Sequence, residues 1–247
     1  MKLLCDLHTH TFVSGHAYSS LKDNIQMARE RGLKFLGTSE HAERMPGSVN
    51  NVYFYNMKIL KRDYGGIYLL RGAEANIMDY EGNLDLEKEK HIKNLDYIIA
   101  SLHTPCIEDG GIGNNTRALI AAMDREKVRI IGHPDDDRYP IDRRALVQAA
   151  KEKGILLELN NSSLSPVSSR TNARENIVEL LGYAADYGAD IIINSDAHVD
   201  HQVGDFTLAL DIIAEMGFPR ERVVNFDETE KRLFRYLKVD GETFFGL

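Results

Sequence analysis

Residues 2–41 read KLLCDLHTHTFVSGHAYSSLKDNIQMARERGLKFLGTSEH and hold one complete strand, helix, strand unit. Residues 2–7 form a short apolar run of strand length, and residues 33–38 form another. Between them, in residues 20–31, Leu21, Ile25 and Ala28 fall at i, i+4 and i+7, with Gly32 where a helix C-cap belongs. The apolar stripe of such a helix needs a sheet face to cover. Each strand leads directly into histidine: His8 and His10 after the first, His41 after the second.

The unit recurs to the end of the chain. Further strand candidates at residues 67–71, 97–101, 128–132, 155–159 and 190–194 bring the number to seven. Helical patterns cover 115–127, 141–153, 174–187 and 206–216, and a strand-like 222–225 and a helix over 227–239 close the sequence. Alternation of this kind predicts an α/β fold with parallel strands. Such strands need both sheet faces covered, or they close into a barrel with the helices outside. Seven units favour a distorted TIM-like barrel over an open doubly wound sheet. No repeat, low-complexity tract or Pro/Ser-rich linker interrupts residues 1–247, which predicts a single domain.

The chemistry-bearing residues are placed by the same pattern. After the third strand comes Glu74, after the fourth His103, after the fifth His133, and after the seventh Asp196 and His198. The C-terminal ends of parallel barrel strands converge on one mouth, where barrel enzymes hold their active sites. A lone strand-end histidine is an ordinary hydrogen-bonded residue, but unrelated histidines have no reason to select the same end of successive strands. In His8-Thr9-His10 and Asp196-Ala197-His198 the ligands are two apart, so on extended backbone they point the same way and can chelate one ion.

Imidazole with carboxylate suits zinc first, then manganese or iron, rather than magnesium or calcium. The candidate metal ligands are His8, His10, His16, His41, Glu74, His103, His133, Asp196 and His198. His16 rests on a loop, after Ser14-Gly15, rather than on a strand end. Nine donors exceed one tetrahedral ion, so two or three ions are implied, with Glu74 available as a bridge. His91 and His201 lie outside the pattern and are read as solvent-facing; Cys5 is read as a core residue and Cys106 as a loop thiol.

Composition bounds the partners. A net charge of −8 disfavours nucleic acid and anionic membrane surfaces, and no apolar run reaches the length of a membrane span. With two cysteines and no secretory pattern at its start, the chain is expected to be cytoplasmic with reduced thiols. Metal ions would let so acidic a protein bind phosphate.

Five motifs in order, Asp-Leu-His-Thr-His at 6–10, Ser-Glu-His at 39–41, Ser-Leu-His-Thr at 101–104, Gly-His-Pro-Asp at 132–135 and Asn-Ser-Asp-Ala-His at 194–198, resemble the PHP (polymerase and histidinol phosphatase) superfamily. Met45-Pro46-Gly47 is similar to its YcdX-type phosphatase branch. The resemblance implies a distorted (β/α)7 barrel with a trinuclear metal centre. One ion would take His8, His10, Glu74 and Asp196; a second would share Glu74 and take His103 and His133; a third would take His16, His41 and His198. Glu40 departs from the aspartate common before the second-motif histidine, which puts the surroundings of His41 in question.

The expected activity is that of a metal-dependent phosphatase on small phosphoric monoesters. A metal-bridging hydroxide would be the nucleophile, with Glu74 and Asp196 acting through the metal-bound water. Arg170 and Arg174, beyond Asn160-Asn161-Ser162-Ser163, are candidate phosphate contacts or solvated loop residues. Residues 42–56 are a lid or a static cover. The competing readings are a phosphodiesterase or nuclease, an amidohydrolase, and a non-catalytic metal-binding regulatory module. The last needs a missing ligand, and all nine positions are filled.

Overall fold

The computed structural model describes residues 3–246; Lys2, the start of the first strand candidate, lies outside them. The strands are β1 Cys5–Asp6, β2 Phe35–Thr38, β3 Tyr68–Arg71, β4 Glu74–Asn76, β5 Ile98–Ser101, β6 Val128–Ile131, β7 Leu156–Asn160 and β8 Ile191–Asn194. All their pairings are parallel, in the orders β1-β2-β3 and β4-β5-β6-β7-β8.

Two isolated parallel bridges join the sheets, His41 to Glu74 at one seam and Thr9 to Ala197 at the other. The amide of Ala42 donates to the Glu74 carbonyl at 2.9 Å, and that of His10 to the Ala197 carbonyl at 2.8 Å. Because β3 and β4 are one run of chain broken at Gly72 and Ala73, the strands follow one another around a ring of seven staves. The seams consist of single bridges rather than ladders, which is the distortion of this barrel.

The break was not predicted. At Gly72 the Tyr97 ring packs against the backbone so closely that a Cβ would strike it, and Gly37 on β2 meets the same side chain. Predicted strand 222–225 is instead two short 3-10 turns, Arg220–Arg222 and Val224–Phe226, with one bridge from Val223 to Ile191. The Asn225 amide takes the place of a ladder there: Nδ2 donates to the Cys5 and Ile193 carbonyls, and Oδ1 accepts from the Ile193 amide.

The main helices are α1 Leu21–Glu30, α4 Gly111–Ala122, α5 Arg143–Lys153, α6 Ala173–Tyr187 and α7 Thr207–Glu215, with short α2 Val52–Asn56, α3 Glu89–Ile92, α8 Lys231–Leu237 and α9 Gly241–Phe245. α1 begins at a capping box in which Ser20 and Asp23 each satisfy the other's backbone amide. The helix expected over 227–239 is confined to α8.

The inward side chains of each strand change character along its length. On β7 the order is Leu156, Glu158, Asn160; on β8 and its extension it is Ile192, Asn194, Asp196, each two residues apart. The lower members pack with Phe35, Leu70, Tyr97, Ile99 and Ile130 against Phe234 and Phe244 of α8 and α9. This dry floor closes the N-terminal end of the barrel and leaves the polar members at the other. Among the described residues no helix is long and apolar enough to cross a membrane.

Candidate metal centre

Glu74 lies at the middle of the polar mouth, fully buried, as are His8 and His10. Its Oε2 is 3.2 Å from His8 Nε2, 3.4 Å from His10 Nε2 and 2.7 Å from His41 Nδ1. Its Oε1 is 3.2 Å from His103 Nε2 and 2.9 Å from His133 Nε2. Asp196 Oδ1 is 3.5 Å from His8 Nε2, 3.3 Å from His10 Nε2 and 3.6 Å from His198 Nδ1. The His16 ring stacks between those of His41 and His198, with centroids 5.0 and 4.9 Å away. The structure thus brings all nine predicted residues to one mouth.

Four of the rings are turned by a second partner. His8 Nδ1 is 2.8 Å from Glu158 Oε1, His103 Nδ1 is 2.7 Å from Asn76 Oδ1, His10 Nδ1 is 3.2 Å from Ser14 Oγ, and His198 Nδ1 is 3.0 Å from the Asp196 carbonyl. With Nδ1–H donated in this way, Nε2 keeps its lone pair free for the centre. Eight buried side-chain N and O atoms among the described residues lack a hydrogen-bond partner; four of them are His8 Nε2, His10 Nε2, His41 Nδ1 and Glu74 Oε2. Buried polar atoms normally find partners. Close approach without hydrogen-bond geometry, by lone pairs aimed at one another, fits a shell made for cations.

Three groups have donor atoms within 4.8 Å of one another: His8, His10, Glu74; His41, Glu74, His103; and His10, His41, His198. His41 therefore stands nearer to Glu74 than a grouping with His16 and His198 alone would require.

The electrostatics match. Burial opposes charge on Glu74, but His8, His41 and His103 hold its carboxyl well below the usual range; burial likewise opposes charge on Asp196, and His8, His10 and Arg170 prevail. Burial, with His41 and His198 beside it, keeps His10 neutral and able to ligate. His8 is the opposite case: despite burial, Glu158, Glu74 and Asp196 favour a cation there. The field that favours a second proton on His8 also favours a divalent ion beside it. Backbone strain collects at the same place, since His133 and Asp196 are non-glycine residues with φ of 28° and 55°.

Several site residues were not read from the sequence. Glu158 is buried, and its other oxygen accepts from the His133 amide at 2.8 Å. A carboxylate inside the apolar run Leu156-Leu157-Glu158-Leu159 was the signal. Ser14 and Asn76 carried none. Glu40 accepts from the Thr11 amide and hydroxyl and from the Ser14 and Thr38 hydroxyls, while Ser14 Oγ also accepts from the His41 amide. Glu40 thus acts on His10 and His41 through Ser14, without touching either ring.

The centre opens into a cavity of about 480 Å³ whose lining includes Arg170, Arg138, Asp136, Met45, Leu102 and Val167. Arg170 donates to Asp196 Oδ2 and to Ser163 Oγ, both at 3.0 Å. Arg174 does not reach the cavity: it is an exposed residue on α6 paired with Glu215 of α7, a helix turn beyond the loop that carries Arg170. From residues 42–56 only Met45 lines the cavity, and the segment is anchored by buried Phe54 and by Asn51, whose amide donates to the Asp85 carbonyl. Gly15, at φ +80°, packs so tightly on Gly47 that a Cβ would collide with its backbone, which fixes this segment against the His16 loop. His201 is 71% exposed, His91 lies on α3, Cys5 is buried, and Cys106 is half-buried with its thiol pushed up to about 11 by burial and by Asp85.

Comparison with known proteins gives the class. The PHP domain model matches residues 6–162, more than half of the chain, and the chain belongs to that family. Proteins named probable phosphatase are 45% identical in Clostridium novyi and 43% identical in Clostridium acetobutylicum, each alignment covering 98% of this chain and 97% of the relative. A protein of that name from Thermoanaerobacter sp. (strain X514) is 45% identical, covering 92% of both. The fold is similar to that of histidinol phosphate phosphatase from Lactococcus lactis, solved with zinc, L-histidinol and phosphate, at a TM-score of 0.62 and 19% identity over 88% of this chain and 95% of that one. Family and relatives together support a metal-binding hydrolase.

Proposed function

We propose that the protein is a metal-dependent phosphatase acting on small phosphoric monoesters. The observation that carries this reading is the set of unpartnered buried ligand atoms, His8 Nε2, His10 Nε2, His41 Nδ1 and Glu74 Oε2, facing one another beside a cavity that also presents Arg170. The nine ligands would hold three divalent ions, zinc before manganese or iron: one by His8, His10, Glu74 and Asp196, one by Glu74, His103 and His133, one by His16, His41 and His198. When bound, such ions supply Lewis acidity toward phosphoryl oxygens and lower the pKa of water to about 7.

The chain's own residues do the rest. Glu158, Asn76 and Ser14 hold the tautomers that keep histidine lone pairs inward. Arg170, fixed by Asp196 and Ser163, presents a rigid guanidinium for the phosphoryl group. Leu102, Pro105, Val167 and Met45 give the cavity an apolar side against which the organic part of an ester can pack. Its volume suits a small ester, and the acidic chain disfavours a nucleic-acid strand.

The test is metal content by elemental analysis, combined with hydrolysis of p-nitrophenyl phosphate and of bis(p-nitrophenyl) phosphate before and after chelation. The reading requires about three ions per chain, monoester turnover above diester turnover, and recovery with zinc or manganese. Preferred diester cleavage would make the protein a phosphodiesterase. Full metal loading without turnover of either would leave the binding module.

A further inference from the structure

A second polar cavity, of about 360 Å³, opens at the base of the barrel beside the N-terminal ends of β5 and β6. Arg62, Arg71, Lys93, Lys127 and Lys238 line it, with Asp96 and Asp240 as its only carboxylates. Five cations against two anions is a local reversal in a chain of net charge −8, and nothing in the catalytic mouth uses these residues.

Both carboxylates are already engaged. Asp96 accepts from Arg62 through two nitrogens and from the Arg71 amide, and Asp240 accepts from the Thr243 amide and hydroxyl. Among the cations, Arg62 is spent on Asp96 and the Arg71 Nη2 on two backbone carbonyls, which leaves the three lysines without an ion pair among the described residues. No hydrogen bond or ion pair is found for the side chains of Lys127 and Lys238 among the described residues, and Arg71 Nε is buried without a partner. Arg71 is aimed by the Lys58 and Leu60 carbonyls, and Lys93 lies 5.2 Å from the Tyr55 ring centroid. Lys127 and Lys238 also hold left-handed backbone, φ 65° and 55°, where glycine is the unstrained residue.

Unspent positive charge around a concave, partly enclosed space focuses the field on small anions. Arg71, whose Nε is buried without a partner, can donate to a phosphate oxygen, and the three ammoniums add point charges on flexible stems. We propose that this basal pocket is a second anion site, separate from the metal centre, that takes a compact polyphosphate: inorganic diphosphate or the diphosphate of a nucleotide.

Pyridoxal 5′-phosphate supplies a local test. Its phosphate seeks such a site, its aldehyde condenses with a lysine amine with loss of water, and borohydride reduces the imine to a stable label. The cavity at the metal centre has no lysine in its lining, so binding there adds nothing to the label. Peptide mapping of the metal-loaded protein should find Lys93, Lys127 and Lys238 labelled ahead of Lys22 and Lys61, which are exposed as Lys93 and Lys238 are but lie outside this cavity. Diphosphate or ADP should protect them, and protection should weaken with added sodium chloride. Protection by both assigns the site to the phosphate chain; protection by ADP alone assigns it to a nucleotide. In Lys127→Gln/Lys238→Gln, with an unchanged circular dichroism spectrum as the fold control, Lys93 should lose its protection. Labelling that follows exposure alone, or that neither anion suppresses, overturns the proposal.

Discussion

Glu158 Oε1 lies 2.8 Å from His8 Nδ1, and this contact turns the other nitrogen of His8 toward Glu74 and Asp196. The residues are 150 positions apart, at β1 and β7 with β8 between them, and meet inside the ring. Glu158→Gln should lower metal affinity and activity about 10–100-fold, because the amide can no longer stabilise a donating Nδ1–H as a carboxylate does. Metal titration checks this: the activity lost at limiting zinc should return in part at excess zinc, which a misfolded variant would not show.

The two arginines should separate cleanly. Arg170 lines the cavity, so Arg170→Ala should reduce kcat/KM for p-nitrophenyl phosphate by about 100-fold, as for loss of a charge-assisted phosphate contact. Arg174 pairs with Glu215 outside the cavity, and Arg174→Ala should leave both kinetic constants close to wild type. Equal losses in both variants would remove Arg170 from the substrate site.

Metal removal should destabilise as well as inactivate. The inward lone pairs of His8, His10, His41 and Glu74 have no hydrogen-bond partner to fall back on. Ions that bind only the folded chain stabilise it by about 4 kcal/mol at a thousandfold excess over Kd. Chelation should therefore lower Tm by several degrees, and zinc should restore it; a Tm indifferent to chelation would contradict a cation shell.

Gly37 and Gly72 both press on Tyr97, whose hydroxyl donates to the Leu7 carbonyl. Gly37→Ala should destabilise by about 2 kcal/mol through overpacking in the buried barrel interior. Urea denaturation measures this. Adding Tyr97→Phe, which removes the atom nearest the new methyl, should recover part of the loss, whereas additive losses would place the strain elsewhere.

Asp190 anchors the C-terminal α8 to β8: it accepts from Arg232 Nε at 3.1 Å, from Tyr236 at 2.7 Å and from Arg222 at 3.2 Å. Burial opposes its charge, but Arg232, Tyr236 and Arg222 hold its pKa below the ordinary value. A depressed folded pKa means that the unfolded chain binds the proton more readily. The stability is therefore present above about pH 4, the unfolded value, and is lost as pH falls through the lower folded value. Asp190→Asn should lower Tm at pH 7, with the difference from wild type shrinking on acidification below pH 4; a difference independent of pH would mean packing rather than charge.

Much of the fold was legible because its signals are local. The capped amphipathic stretch over residues 20–31 and the apolar strand runs depend on backbone period and near neighbours, and α1 and six of the eight strands fall inside the predicted spans, β7 passing its span by Asn160 and β4 lying outside all of them. Where the reading failed, a distant contact decided. The break between β3 and β4 falls where Tyr97, just before β5, packs on Gly72, and at the strand-like 222–225 the Asn225 side-chain amide bonds Cys5 and Ile193. The reading of 42–56 depended on partners at Gly15 and Asp85, which no local pattern reveals.

For the site, the amino-acid sequence by itself determined which ligand types stand at strand ends. Strand direction and the two-residue period are properties of the extended backbone, so His8 with His10 and Asp196 with His198 had to emerge at one mouth. Only the tertiary structure decided which nitrogen each ring presents, that Glu158, Asn76 and Ser14 do the turning, and that Arg170 faces the cavity while Arg174 faces Glu215. Those outcomes depend on side chains that closure of the ring brings together from far apart in the chain, and hydrogen-bond direction is set by such partners rather than by sequence neighbours.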